Sequence, residues 1–182
     1  RSKLLWASDN NLYWTSSGGG GVGSGSIVKY NFANSQFEII HTSNWQNVNP
    51  GEYHGALNNP LFEASNGVLF GASYQGGSSS GTGSMFKINK DGTGYLTIFQ
   101  PASGFADEGF RPMGGFVEYN GYVYSACTQE EMENQNSGTF YRIDINQNSS
   151  LLILDNFHTL DFEGTRPEGT FTESPNGRFY IT

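Results

Sequence analysis

Ser65-Asn66-Gly67-Val68-Leu69-Phe70-Gly71-Ala72-Ser73 decides the fold, because it returns. It matches Tyr119-Asn120-Gly121-Tyr122-Val123-Tyr124-Ser125-Ala126-Cys127 and, near the end, Pro175-Asn176-Gly177-Arg178-Phe179-Tyr180, while Asp9-Asn10-Asn11-Leu12-Tyr13-Trp14-Thr15-Ser16 is the first copy. Asn-Gly between alternating apolar runs is a strong hairpin signal, since a type I′ turn needs positive φ at both central residues. The pattern predicts such turns at 66, 120 and 176.

Outward from each turn the same order repeats. A strand is followed by a loop rich in Gly, Ser or Asn, and then by a second strand: Ser26-Ile27-Val28-Lys29-Tyr30, Ser84-Met85-Phe86-Lys87-Ile88 and Thr139-Phe140-Tyr141-Arg142-Ile143. A basic residue holds the same place in each. Another turn leads to a further apolar strand, Phe37 to Thr42, Tyr95 to Phe99 and Leu151 to Asp155. Short period-2 apolar runs bounded by turn residues are strands, not helices. With the strands Lys3 to Ala7, Pro60 to Ala64, Gly114 to Tyr119 and Gly169 to Glu173 that precede the turns, each unit is a four-stranded antiparallel meander, the blade of a β-propeller.

The expected class is therefore all-β, one repeat array over 1–182, with blades at about 1–43, 54–99 and 111–157 and half a blade at 167–182. Closed propellers typically have about 4 to 8 blades. The count implies a part of a larger propeller, completed by further blades of the same chain or by another subunit. Leu4, Leu5 and Trp6 at one end, and Phe179, Tyr180 and Ile181 at the other, would then need partners, and the isolated chain is expected to aggregate or assemble.

Composition agrees with short strands and many tight turns. Glycine makes up 25 of 182 residues and aromatics 15%, whereas 14% of residues are charged. A net charge of −8 and the lack of any Lys or Arg cluster argue against nucleic acid, which needs basic patches to displace counterions. No stretch approaches the roughly 20 apolar residues of a membrane span. The single cysteine, Cys127, excludes an intramolecular disulfide and a cysteine-based zinc cage, and reads as a small strand residue.

At these residues the sequence resembles the Gloeo/Verruco repeat, a family of tandem repeats of secreted or surface-anchored bacterial proteins. The middle copy carries the likeness best: Asn66-Gly67, Leu69-Phe70-Gly71-Ala72-Ser73, Gly76-Gly77, Gly83-Ser84-Met85-Phe86-Lys87-Ile88, Asp91-Gly92-Thr93, Phe99 and Pro112-Met113-Gly114-Gly115-Phe116. Trp14 and Ser125 stand where the family prefers Gly, and Thr128 to Ser137 replaces the Gly-Gly pair by an acidic run. Kelch repeats resemble the chain more weakly. The resemblance implies a propeller-like fold and an extracellular or cell-surface setting in bacteria. It implies no defined enzyme activity.

In a meander blade the second-to-third loops and the crossovers share one end, and binding residues favour loops on rigid scaffolds. Within the crossovers one constellation repeats, Glu108-Gly109-Phe110-Arg111-Pro112 and Glu163-Gly164-Thr165-Arg166-Pro167, with Glu52-Tyr53-His54 in the matching place. A carboxylate and a guanidinium three residues apart can pair or bind loop carbonyls, locking each crossover to its neighbour. The first crossover, which carries Trp45 and His54 in place of the Arg, is the better candidate for a specific contact. The ligand-binding candidates are thus Trp45, Glu52, Tyr53, His54, Glu108, Arg111, Glu163 and Arg166, with no catalytic residue, metal or cofactor assigned.

Crossover aromatics could stack on sugar rings, so the expected function is a non-catalytic surface or secreted module binding a glycan or a protein. Two alternatives stand beside it. One is a carbohydrate-active hydrolase or lyase using the crossover carboxylates, which would need two carboxyls about 5 to 10 Å apart. The other is a structural segment of an adhesin or filament. His41, His54 and His158 have no metal-ligand spacing, and His41 reads as a packing residue in the place of Phe99 and Phe157.

Overall fold

The computed structural model describes residues 3–19, 25–43, 53–54, 57, 59–74, 76–77, 82–100, 110–112, 115–128, 138–147, 151–157, 171–174 and 178–180. All regular structure among them is strand, in chain order β1 (Leu5–Trp6), β2 (Leu12–Ser16), β3 (Ser26–Asn31), β4 (Gln36–Thr42), β5 (Tyr53–His54), β6 (Phe62–Glu63), β7 (Leu69–Ser73), β8 (Gly76–Gly77) and β9 (Ser84–Ile88). There follow β10 (Leu96–Phe99), β11 (Phe110–Pro112), β12 (Val117–Tyr119), β13 (Tyr122–Thr128), β14 (Gly138–Asp144), β15 (Leu151–Phe157), β16 (Thr172–Glu173) and β17 (Phe179–Tyr180). Blade one is the meander β1-β2-β3-β4, blade two β6-β7-β9-β10, and blade three β12-β13-β14-β15, with β16-β17 as a further hairpin. Every pairing is antiparallel.

The turns differ from the expectation in an instructive way. Asn120-Gly121 is the two-residue turn with positive φ at both positions, 51° and 79°. At Asn66-Gly67, however, Ala64 N donates to Val68 O, which closes a three-residue loop with Gly67 as its left-handed residue. Blade one does the same, Ala7 N donating to Asn11 O around left-handed Asn10, and Ser174 N donates to Arg178 O in the last hairpin.

The extra loop residue has a job. Ser8 N and Oγ donate to the Glu63 carboxylate at 2.7 and 2.6 Å, and Ser65 N and Oγ donate to Glu118 at 2.6 and 2.5 Å. Glu63, Glu118 and Glu173 share one register position, opposite Leu69, Val123 and Phe179. The turn of one blade is thus stapled to the inner strand of the next. Lys90 adds to the first staple, donating to Glu63 and, at 2.8 Å, to Ser8 Oγ.

Partial burial raises the Glu63 carboxyl, but hydrogen bonds from Lys90 and Ser8 outweigh it and hold the group below its ordinary value. A carboxyl depressed in the fold contributes stability above its unfolded value of about 4.3 and loses it as pH falls through the folded value. Wild-type melting temperature is therefore expected to drop more steeply below about pH 4.3 than that of Glu63→Gln, measured by thermal denaturation across pH. Parallel acid limbs would show that the staple carries no linked stability.

Cores lie between blades rather than within them. Tyr13 and Ile27 of blade one meet Leu57, Leu61, Leu69, Phe86 and Ile88 of the second repeat. Phe70, Ala72 and Met85 of blade two meet Val123, Cys127, Tyr141 and Ile143 of blade three. Alternation along each strand sends one set of side chains forward and the other backward, so blade two, with a blade on either side, is buried on both faces. Each outermost strand carries a bulge at one place, marked by Ile40, Ile98 and Leu154, and the first two of these side chains pack into the joint ahead. His41 lies opposite Ile27 as Phe99 lies opposite Met85; in blade three that position belongs to Asp155 and not to Phe157.

Candidate functional site

Among the described residues, crossover segments meet strand extensions and loop residues at one end of blades two and three. The crossover into blade three is not loop throughout: β11 pairs with the far end of β13, Phe110 opposite Thr128 and Pro112 opposite Cys127. In the second repeat β5 pairs in the same manner with the Gly76-Gly77 segment that extends β7, Tyr53 opposite Gly77 and His54 opposite Gly76. The Gly-Gly pair of the repeat is thus a strand that the incoming crossover covers.

From this edge β11 presses onto blade two. Arg111 N donates to Thr82 O at 2.8 Å, and the Arg111 guanidinium lies 5.0 Å from the centre of the Tyr74 ring, within cation–π range. Arg111 adopts left-handed φ of 54°, which costs energy for a residue with a Cβ. The backbone hydrogen bond and the ring contact offset that cost. Asn59 ties the joints together: its Nδ2 donates to Pro112 O at 2.6 Å, while its carbonyl accepts from Thr15 Oγ1 at 2.8 Å. Gly83, at φ 82°, leaves the room, because a Cβ there would stand 2.7 Å from Pro112 Cδ.

Of the residues singled out in the sequence, Arg111 contacts the neighbouring blade through Thr82 and Tyr74. Tyr53 and His54 are placed by their backbone in β5 at the rim of the second repeat. Trp45, Glu52, Glu108, Glu163 and Arg166 lie outside the described residues. Sequence reasoning passed over Asn59, Thr82 and the Ser–Glu staples. The recurrence of Glu at 63, 118 and 173 was the signal that could have exposed the staples.

Cys127 is fully buried, and burial pushes its thiol well above the ordinary range, against a smaller opposing effect of a hydrogen bond with Tyr141. It is a packing residue. His41 stacks on Tyr95 with ring centres 3.9 Å apart. No group of three or more His, Cys, Asp or Glu among the described residues could hold a metal ion.

Exposed aromatics gather elsewhere, on the backward face of blade one. Trp6 is 59% exposed and Phe37 72%, with Phe32 and Tyr30 in ring contact between them. Their neighbours Leu12 and Trp14 occupy the register of Leu69 and Gly71, which in blade two face the preceding blade. These rings stand on strands and on the β3–β4 turn of blade one, apart from the loop end where the crossovers lie.

The model of the Gloeobacter/Verrucomicrobia repeat matches residues 1–182. A search of curated proteins found no match. Among solved structures the chain is similar to a novel α-L-arabinofuranosidase, CtGH43, from Clostridium thermocellum, with TM-score 0.52 and 14% identity over 99% of this chain and 58% of that one. It is also similar to a variant of the α-L-arabinofuranosidase arb93a from Fusarium graminearum in complex with an iminosugar inhibitor, with TM-score 0.55 and 15% identity over 95% of this chain and 52% of that one. The chain spans a little over half the length of both. At such identity the likeness concerns the fold, and that fold is the β-propeller.

Proposed function

The chain belongs to the Gloeobacter/Verrucomicrobia repeat family, and we propose that it is a non-catalytic β-propeller module, extracellular or on the bacterial cell surface, that binds a glycan or a protein through its loop end. The observation that supports this is the convergence just described. Crossover strands β5 and β11 seat directly on the second-to-third loops, on a scaffold sealed by cores on both faces of blade two. Loop residues held so firmly can present side chains without ordering cost at the moment of binding. Trp45, Tyr53 and His54 fall in the crossover that carries no Arg in the place of Arg111 and Arg166, and this reading assigns the ligand contact to them.

The double variant Trp45→Ala, Tyr53→Ala is expected to lose retention on a glycan array by more than about tenfold while melting as the parent does, since burying one large apolar side chain is worth roughly 1.5–3 kcal/mol. Unchanged retention would remove this end of the blades from consideration. The fold shared with two α-L-arabinofuranosidases favours a second reading, a carbohydrate-active hydrolase or lyase using Glu108 or Glu163. On the same glycans it requires released product that disappears in Glu108→Gln or Glu163→Gln.

A further inference from the structure

β11 carries one residue too many for its ladder. Phe110 lies opposite Thr128 and Pro112 opposite Cys127, so two steps along β11 meet one step along β13, and Arg111 is the bulged residue between them. Its left-handed φ of 54° is a conformation for which glycine is the default. What seats the bulge is main chain and Asn59: Arg111 N donates to Thr82 O, and Asn59 Nδ2 donates to Pro112 O. A glycine at 111 would keep both bonds without the strain. The seating of β11 does not by itself account for an arginine there.

Bulges re-aim side chains. Here the Arg111 guanidinium ends beside blade two, 5.0 Å from the centre of the Tyr74 ring. Tyr74 directly follows β7, and both it and Arg111 are half-buried, so a ring and a guanidinium reach the surface together at the loop end. The strand then runs on into Gly76 and Gly77, which add no side chain along this edge. A ring next to a guanidinium suits an acidic sugar: the ring packs against the apolar face of the pyranose, and the planar fork of N–H donors takes a carboxylate as a bidentate pair. The guanidinium has five N–H donors, enough to serve contacts within the protein and a carboxylate together. A net charge of −8 repels a polyanion, which favours single acidic sugars on an otherwise neutral glycan.

We propose that Arg111 and Tyr74 form a subsite for a uronic acid residue of a glycan, with Arg111 as the residue that determines specificity for the carboxylate. The proposal rests on the glycan reading of the loop end and narrows it to one class of sugar.

The test places the 182-residue chain on an array of neutral oligosaccharides that carry one glucuronic acid, each beside its counterpart with the carboxyl reduced to a primary alcohol. The acid form is expected to be retained about tenfold or more above the reduced form, the scale of a charge-assisted pair, and this ratio should fall as salt rises. In Arg111→Gly the ratio is expected to drop to about one, and in Arg111→Lys, which keeps the charge and loses the fork, to a value between the two. Amide hydrogen exchange separates this role from a merely structural one, because the amide of residue 111 should stay as protected in Arg111→Gly as in the parent. A ratio that survives in Arg111→Gly, or one that is lost together with the protection at 111, would overturn the proposal. Equal retention of the two forms by the parent would remove the acidic subsite and leave the glycan reading standing, whereas retention of no oligosaccharide would overturn both.

Discussion

Phe86→Ala is expected to lower the stability of the chain by about 3–5 kcal/mol, the range for removing a fully buried aromatic side chain. Phe86 has no solvent exposure and belongs to the core between blades one and two. Its ring is stacked on Tyr95 at 5.2 Å, and Tyr95 is stacked in turn on His41 of blade one. Deleting it opens a cavity that rigid neighbouring strands cannot fill, and the stack from blade two to blade one loses its base. Denaturant titration of the variant should show the midpoint falling with little change in slope. A loss under about 1 kcal/mol would mean that this joint is not packed as described.

Gly71→Ala is expected to cost about 1–3 kcal/mol, unusual for so small a change and typical of overpacking a filled core. Gly71 lies opposite Phe86 in the ladder, and a Cβ added there would collide with the Phe86 ring, whose Cε2 would be 2.8 Å away. The ring cannot swing aside because Tyr95 backs it. The cost should therefore depend on the ring. In a Phe86→Val background, adding the methyl at 71 is expected to be close to neutral, a coupling of at least about 0.5 kcal/mol in a double-mutant cycle. Additive losses would place the strain of Gly71→Ala elsewhere.

The same pair explains what looked like a departure from the repeat. The cross-strand partners are Gly71 with Phe86, Ser125 with Tyr141 and Trp14 with Val28. In each a larger side chain faces a smaller one. A pattern read along one strand shows Trp14 and Ser125 as exceptions; the register across two strands shows the partner that each one faces.

The meander order, the repeat length and the apolar alternation were legible because each is a local periodicity, and local periodicity is what a single sequence displays best. Turn type was not, since Asn-Gly fits both a two-residue loop and the last two places of a three-residue loop. What decided between them was a non-local contact, the donation of Ser65 to Glu118 in the next blade. Crossover strands β5 and β11 escaped for a similar reason: two or three residues carry no period of their own, and their partners lie on another strand's extension. At the candidate site, the recurrence of Arg111 with Arg166 marked Arg111 out in the sequence. Its partners Thr82 and Tyr74 were not marked out, because the earlier repeat supplies them from loop positions without any charge complementarity.

Sealed joints on either side of blade two are the centre of this account, and amide hydrogen exchange on the 182-residue chain measures them directly. The slowest amides are expected in β9 and β13, which are paired on both edges, and those of β16 and β17 should exchange with the fastest strands. Protection of β16 and β17 equal to that of β9 would contradict the account, because protection would then not follow pairing on both edges and burial between two joints.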